Sequence, residues 1–239
     1  MTVVDALEAE SGTLCVVGAG GKKTTLYALA NRLERAVVTA TVRIPIFDPH
    51  VAEVTVTDDP VSALEDTGTY PLGLVAERER EDRYRGYDLE TVTDLAVAHD
   101  GPVLVKADGA RTREFKAPDD HEPRIPASAD VVVPIASAHA VGKPLTEEYV
   151  HRPERVAAIT DLEVGETITA EAVGTVLSSP DGGLKDVPEE ATVIALLNKV
   201  DDDEDEAVAR DVADVVHERA DVSRVVLARM ADAEVVDVV

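Results

Sequence analysis

The stretch that decides the fold of this chain is Val17-Gly18-Ala19-Gly20-Gly21-Lys22-Lys23-Thr24-Thr25-Leu26. It lies between a short apolar run, residues 14–17, and a segment with helical periodicity, residues 24–33. Glycines let backbone N–H groups curl around phosphate oxygens, a helix start adds positive potential, and a lysine can reach the outer phosphates. The stretch therefore predicts a phosphate-binding loop formed by Gly18, Ala19, Gly20, Gly21, Lys22, Lys23, Thr24 and Thr25.

Two lysines follow the glycines, so two registers compete for the phosphate lysine. Reading Lys23 with Thr24 as the lysine and hydroxyl pair puts Lys22 where the loop G-x-x-x-x-G-K-[ST] has glycine. Reading Lys22 as that lysine puts Lys23 where the hydroxyl belongs. We favour Lys23 with Thr24, because the helix then begins Lys-Thr-Thr-Leu and Leu26 starts its buried face. Lys23 is thus predicted to contact phosphate and Thr24 to bind Mg²⁺.

A dinucleotide-binding turn is the alternative for the same glycines. Gly18-x-Gly20 fits the opening of that fingerprint, but Lys23 occupies the third glycine position. The next apolar run, residues 36–41, also ends without an acid for a ribose hydroxyl. The pattern favours a phosphate loop over a dinucleotide site.

Apolar runs and helical patterns alternate outward from this loop. Runs typical of strands buried on both faces span residues 14–17, 36–41, 72–76, 103–105, 131–135, 193–197 and 222–227. Helical patterns span residues 24–33, 89–98, 169–177 and 207–219. The alternation predicts an α/β chain with a P-loop NTPase-like three-layer fold, a mostly parallel sheet with helices on both faces. We expect a single domain over residues 1–239, with irregular functional loops at about 109–155.

The charge of the chain is strongly acidic: 48 acidic and 23 basic residues give a net charge of -25. This balance argues against a nucleic-acid partner and is typical of a protein from a salt-rich cytoplasm. No apolar stretch approaches 18 residues and no secretory signal is recognisable, so we expect a soluble, cytoplasmic protein without a membrane partner. The single cysteine, Cys15, excludes an intramolecular disulfide.

Folding should depend on salt. Counterions screen the repulsion among surface carboxylates, so the melting temperature is expected to rise steeply between low and molar KCl. Thermal unfolding followed by circular dichroism across a KCl series measures this dependence. A melting temperature that does not change with KCl contradicts the interpretation of the charge.

A second candidate site residue is Asp108, which follows the apolar run 103–105 and Lys106. A carboxylate at this position holds Mg²⁺ or its water in phosphate-loop enzymes, although Asp108 could instead cap the following turn. On the metal hypothesis, Asp108→Asn folds normally and weakens only Mg²⁺-dependent nucleotide binding.

The apolar run 193–197 leads into Asn198-Lys199-Val200-Asp201, which resembles the guanine-reading Asn-Lys-x-Asp motif of GTPases. There Asp201 would accept from guanine N1–H and NH₂, so GTP is favoured over ATP. The alternative is that Asn198 and Asp201 only stabilise the loop that precedes an acidic helix start, residues 201–206. That acidic run lacks the spacing of a cation-binding loop.

Basic residues persist in the irregular central region of this acidic chain. Their distribution suggests an anionic substrate or nucleotide phosphates, although each could instead pair with a surface carboxylate. They are Arg111, Arg113, Lys116, Lys143, His151 and Arg152. We assign catalytic roles to Lys23, Asp108, Lys116 and Arg111. The histidines show no metal-ligand spacing, among them His50, His99, His139 and His217.

Taken in order, these pieces resemble the YqeC family, accessory proteins of selenium-dependent molybdenum hydroxylases, from about residue 12 to residue 230. The pieces are the glycine loop, Val38-Thr39-Ala40-Thr41 with Ile44-Pro45, Ala107-Asp108-Gly109-Ala110, Lys116-Ala117-Pro118, His121-Glu122-Pro123-Arg124-Ile125-Pro126, Gly142-Lys143-Pro144-Leu145, His151-Arg152 and Leu197-Asn198-Lys199-Val200-Asp201. The chain departs from the family in its second loop lysine, in fewer threonines on the second strand, and in Lys106, where an acid is common.

The resemblance implies a nucleotide-binding protein that acts in the maturation of a molybdenum hydroxylase or of its molybdopterin-type cofactor. The expected ligands are a nucleoside triphosphate, GTP or ATP, and Mg²⁺, with NTPase activity. Two alternatives are a kinase or nucleotidyl carrier for an anionic small molecule such as a pterin, and a nucleotide-gated chaperone without significant turnover.

Overall fold

The computed structural model describes the backbone of residues 1–239 and every side chain except that of Asp66. Its strands, in chain order, are β1 (Thr13–Gly18), β2 (Val37–Ala40), β3 (Ile44–Pro45), β4 (Glu53–Val56), β5 (Leu72–Val75), β6 (Glu77–Arg80), β7 (Arg83–Arg85), β8 (Val103–Lys106), β9 (Phe115–Lys116), β10 (Val131–Ser137), β11 (Val150–His151), β12 (Thr192–Asn198), β13 (Arg224–Arg229) and β14 (Glu234–Val238). Its α-helices are α1 (Val3–Ala6), α2 (Lys22–Ala30), α3 (Pro60–Asp66), α4 (Leu89–Ala98), α5 (Pro153–Ile159), α6 (Ala170–Leu177) and α7 (Asp203–Arg219).

Nine strands form the central sheet, in the order β14-β13-β12-β10-β1-β8-β2-β5-β4. All neighbouring pairs are parallel except β13 with β14. The predicted α/β class, a mostly parallel sheet flanked by helices in a P-loop NTPase-like arrangement, is confirmed. Two small sheets accompany it: β3-β7-β6, which is antiparallel, and β9-β11.

Alternating side chains of the central strands serve two different cores. Leu14 and Val16 of β1 pack with Leu26 and Leu29 of α2, whereas Cys15 of β1 faces the core on the opposite side of the sheet. Because successive strand residues point to opposite faces, an apolar run without alternation needs helices on both sides. The apolar strands of the sequence therefore specify the three layers.

Several elements differ from the sequence prediction. Helix α2 begins at Lys22 rather than at Thr24, and α7 begins at Asp203, inside the acidic run, rather than at residue 207. The acidic first turn of α7 agrees with the predicted helix start, since carboxylates are favourable at a helix N-terminus. The edge strands β4 and β14 were not predicted, because their burial is partial and their apolar pattern is short.

The carboxyl ends of four adjacent strands meet at one edge of the sheet. Gly18 of β1 is paired with Ile135 of β10, and Val16 of β1 is paired with Lys106 of β8. Ser137, at the end of β10, is paired with Asn198 of β12. This edge therefore brings together the glycine loop, the segment around Asp108 and the segment after Asn198. Among the described residues, no helix is long and apolar enough to cross a membrane.

Candidate functional site

The backbone of the glycine loop requires glycine. Gly18 and Gly20 have φ angles of 87°, and Gly21 has a φ of 145°, in a region that other residues rarely adopt. A Cβ on Gly20 would lie 2.5 Å from the Ser137 nitrogen and 2.7 Å from the Glu114 carbonyl oxygen. The loop is thus closely packed against the neighbouring strand ends, and its conformation is fixed.

Several N–H groups of the loop already have partners. The Gly18 N–H donates to Asp108 Oδ2 at 2.8 Å, and the Gly20 N–H donates to the Arg113 carbonyl at 2.9 Å. Gly21 is the N-cap of α2 and provides no side-chain cap. The N–H groups of the first turn of α2 have no partner within the helix, so they are the donors that the loop offers to an anion.

The register prediction needs correction at this helix. It supposed that Lys23 heads the helix, but α2 begins at Lys22, so both lysines lie in its first turn. The Lys22 ammonium folds back over the loop and donates to the Gly18 carbonyl, whereas Lys23 is partly exposed. Thr24 is exposed, and the buried Thr25 hydroxyl bonds the Gly21 carbonyl at 3.2 Å. Lys22 is therefore the lysine that the loop positions.

Asp108 lies beneath the loop between two buried lysines. Its Oδ1 is 2.7 Å from Lys22 Nζ, and its Oδ2 is 2.9 Å from Lys116 Nζ. Burial by itself would raise the pKa of Asp108, but the charges of Lys116 and Lys22 outweigh that effect and hold the pKa at about 2. The carboxylate is thus ionised and serves as the counter-ion of the two lysines.

Glu122 extends this cluster of charges toward the surface. It pairs with Lys116 at 2.9 Å and with Arg152 at 2.8 Å, and it accepts the Gly109 N–H at 3.0 Å. Lys116 is only 3% exposed, and all of its contacts are internal. The structure therefore uses Lys116 and Arg152 to hold the segment after Asp108, where the sequence suggested contact with an anionic ligand.

Lys106 is a third buried lysine at this edge, and it borders the open cleft described below. Its ammonium donates to the Arg43 carbonyl at 3.0 Å and to the Asp108 carbonyl at 2.6 Å. Burial and the nearby charge of Lys22 together lower the pKa of Lys106 to about 7, against the opposing effect of Asp108. Lys106 thus changes its charge near neutral pH.

The residues predicted to hold Mg²⁺ do not fit the ion in this arrangement. Thr24 is exposed on the cleft, whereas Asp108 is 1% exposed and faces Lys22, Lys116 and the Gly18 N–H. The Lys22 ammonium already lies 2.7 Å from Asp108 Oδ1, so a cation bound to that oxygen would lie against it. Two like charges that close repel each other strongly in a buried site. Because the two lysines would lose their counter-ion, we expect Asp108→Asn to destabilise the fold, in contrast to the unchanged folding expected on the metal hypothesis.

A cleft of about 510 Å³ opens over the glycine loop. It falls within the usual range of roughly 300–1,000 Å³ for small-molecule sites. Glu114 is the one acidic residue of its lining, and eight lining residues are basic. These are Lys22, Lys23, Arg43, Lys106, Arg83, Arg111, Arg113 and Lys199. In a chain of net charge -25, such a lining favours an anionic ligand.

The cations predicted from the central region divide between the cleft and other places. Arg111 and Arg113 line the cleft. Three further lining residues were not expected from the sequence: Lys106 of β8, Arg83 of β7 and Arg43, which precedes β3. Lys143 and His151 do not line the cleft. Lys143 lies over the ring of Tyr149, and burial lowers the pKa of His151 to about 4. No local pattern marks Arg43 or Arg83, because only the tertiary fold brings the small sheet to the loop.

The motif Asn198-Lys199-Val200-Asp201 contacts the glycine loop and contributes one residue to the cleft lining. The Asn198 amide donates to the Gly20 carbonyl at 2.7 Å and accepts the Met230 N–H at 2.9 Å. Lys199 pairs with Glu114 at 2.6 Å and lines the cleft. Asp201 lies outside that lining, within 3.3 Å of His139 Nε2. Asn198 thus ties the glycine loop to β12, and the role of Asp201 in choosing guanine stays a prediction.

Comparison with known proteins identifies relatives of the chain. The sequence profile of the family described as "YqeC protein" matches residues 14–154. A protein of Escherichia coli (strain K12), described as "Uncharacterized protein YqeC", is 30% identical over 193 residues, which are 78% of this chain and 75% of that protein. No solved structure matches the chain. The profile match covers the glycine loop, Asp108 and seven of the eight cleft cations, all except Lys199.

Proposed function

Because this chain belongs to the YqeC family, we propose that it is a nucleotide-binding accessory protein whose cleft takes the phosphates of GTP or ATP. The observation that carries the proposal is the cleft itself: eight basic residues and one acidic residue surround an uncapped helix start behind a glycine loop. Helix N-termini and clustered cations both favour phosphate groups.

In this proposal Lys22 is the phosphate lysine. It follows the last loop glycine, it heads α2, and its ammonium lies above the Gly18 carbonyl. Lys23 and Arg111 supply additional charge at the cleft surface. Mg²⁺ would accompany the triphosphate without a ligand from Asp108, which the two lysines hold.

The role that follows is in the maturation of a molybdenum hydroxylase or of its molybdopterin-type cofactor, in the cytoplasm. Support for this role comes from the family resemblance and from the cationic cleft, which suits the nucleotide that the role would require. Incubation with γ-labelled GTP or ATP tests the reaction class. Release of phosphate with water as the only acceptor supports an NTPase, whereas nucleotide-dependent capture of the hydroxylase without phosphate release supports a nucleotide-gated chaperone.

A second candidate function is transfer of a phosphoryl or nucleotidyl group to an anionic small molecule such as a pterin. The observation that favours it is that Arg43 and Arg83, which belong to other parts of the chain than the loop, line the same cleft as Lys22. Arg83 and Arg43, the latter paired with Glu79, add charge to the cleft outside the glycine loop. Appearance of the label on a small acceptor, and its loss in the Arg83→Ala variant with retained nucleotide binding, would establish this function.

Phosphate binding should be coupled to proton uptake at Lys106. An anion in the cleft favours the charged ammonium, so it raises the Lys106 pKa from about 7. Affinity should therefore rise as the pH falls from about 9 to about 7, by at most about tenfold per unit, and level off below the pKa of the free protein. The groups that face Lys106 are Lys22, Asp108, Lys116 and Glu122.

Calorimetry of pyrophosphate binding in buffers of different ionisation enthalpy measures this proton uptake. The Lys106→Met variant, with its fold checked by thermal unfolding, removes the contribution of Lys106 and leaves those of the phosphate and of other groups. Equal uptake in the variant and the wild type contradicts the assignment to Lys106.

A further inference from the structure

His139 converges beside the cleft with two aspartates that are more than 60 residues away in sequence, Asp201 and Asp205. His139 belongs to a 3₁₀ helix, Ala138–Ala140, that follows β10. Asp201 follows β12, and Asp205 lies in the first turn of α7. His139 Nε2 is 3.3 Å from Asp201 Oδ2 and 3.2 Å from Asp205 Oδ2, and the three donor atoms lie within 4.8 Å of one another.

Backbone hydrogen bonds hold the three residues in place. The Ser137 hydroxyl accepts the His139 N–H at 3.2 Å, and the Asp202 side chain caps α7 by accepting the Asp205 N–H at 3.0 Å. The Asp201 N–H donates to Asp205 Oδ2 at 3.1 Å. The turn after β10 and the start of α7 thus bring three donor atoms together, and the hydrogen bond from the Asp201 N–H to Asp205 is part of the cluster.

The separations match those in the coordination shell of a metal ion. Bonds of roughly 2.0–2.2 Å with tetrahedral or octahedral angles put neighbouring ligand atoms about 3.0–3.5 Å apart. The two distances from His139 Nε2 fall in this range. From this geometry we propose that His139, Asp201 and Asp205 bind a divalent first-row transition metal ion such as Zn²⁺ or Mn²⁺.

The kinds of donor atom indicate which class of metal ion would bind. One imidazole nitrogen and two carboxylate oxygens suit Zn²⁺ or Mn²⁺, whereas Ca²⁺ and Mg²⁺ are bound mainly by oxygen. The side chains of His139 and Asp201 are 38% and 49% exposed, so water can complete the shell. Arg229 is the nearby cation and lies 3.7 Å from Asp201 Oδ1, the oxygen that does not face His139.

The site adjoins the cleft without depending on a nucleotide. Lys199 precedes Asp201 by two residues and pairs with Glu114 on the cleft wall. A bound ion would link β10, β12 and α7 and so stiffen that wall. The proposal does not rest on the proposed nucleotide function, and each can fail while the other holds.

The test is a titration of the metal-free full-length chain with Zn²⁺ in molar KCl without nucleotide, followed by calorimetry. We expect one equivalent to bind to the wild type, with at least about tenfold weaker binding in His139→Ala and in the isosteric Asp205→Asn. Matched controls are His217→Ala and Asp203→Asn, which alter exposed residues of the same helix α7 and should bind as the wild type does.

A second readout uses Mn²⁺, whose electron paramagnetic resonance signal reports binding directly and whose affinity should fall in the same two variants. Thermal unfolding of each variant confirms that it is folded. If the wild type binds neither ion more tightly than His139→Ala and Asp205→Asn do, His139 merely hydrogen-bonds two carboxylates and the proposal is overturned.

Discussion

Asp108→Asn is expected to lower the free energy of unfolding by about 3–5 kcal/mol, the usual cost of removing one partner from a buried ion pair. The amide keeps the shape of the side chain but leaves Lys22 and Lys116 without the charge that compensates them. Lys22 or Lys116 can respond by losing its proton. The loss in free energy of unfolding should therefore become smaller as the pH rises above neutrality. Urea unfolding in molar KCl at several pH values measures both effects.

The matched control is Asp120→Asn, which makes the same chemical change in an exposed pair with Arg155. Exposed pairs contribute about 0–1 kcal/mol, so this variant should unfold almost as the wild type does. An equal loss in the two variants, or no loss in Asp108→Asn, means that Asp108 does not compensate the buried lysines.

Lys22→Met should weaken triphosphate binding by about 10- to 100-fold, because hydrogen bonds to charged groups contribute about 1.5–3 kcal/mol. Lys23→Met removes the same charge from the neighbouring position and should cost less than about fivefold, since Lys23 is partly exposed. Competition binding with a fluorescent nucleotide in molar KCl compares the two variants.

Lys22 also pairs with Asp108, so the Met variant needs a check of its fold by thermal unfolding. Lys22→Arg serves as a second variant: it keeps the charge near Asp108, but the larger planar group cannot reproduce the point contact of an ammonium. Retained binding in both Lys22 variants together with loss in Lys23→Met would restore the register favoured by the sequence alone.

The parts of the structure that local pattern encodes were predictable. The glycine loop, the buried strands on either side of it and the helix after it are all contiguous in sequence, and their periodicity fixes a mostly parallel sheet. The edge of that sheet then locates Asp108 and Asn198 beside the loop, because parallel strands end on the same side. The sequence placed these residues correctly at one edge.

The partners of those residues were not predictable from spacing. Asp108 could have faced a metal ion or a lysine, and only the tertiary fold puts Lys116 against it. In the same way, His139 and Asp205 are 66 residues apart, and no motif joins them. Charge pairs and ligand sets depend on long-range packing, whereas a single sequence shows only neighbours along the chain.

The most direct measurement is calorimetric titration of the wild type in molar KCl with GTP, ATP, pyrophosphate and guanosine. On the proposal that the cleft binds phosphate, both triphosphates and pyrophosphate should bind, guanosine should bind far more weakly, and Lys22→Met should remove most of the difference. Guanosine binding as tight as that of GTP, or no binding of any phosphate compound, would contradict the assignment of the glycine loop and its cationic cleft as a nucleotide phosphate site.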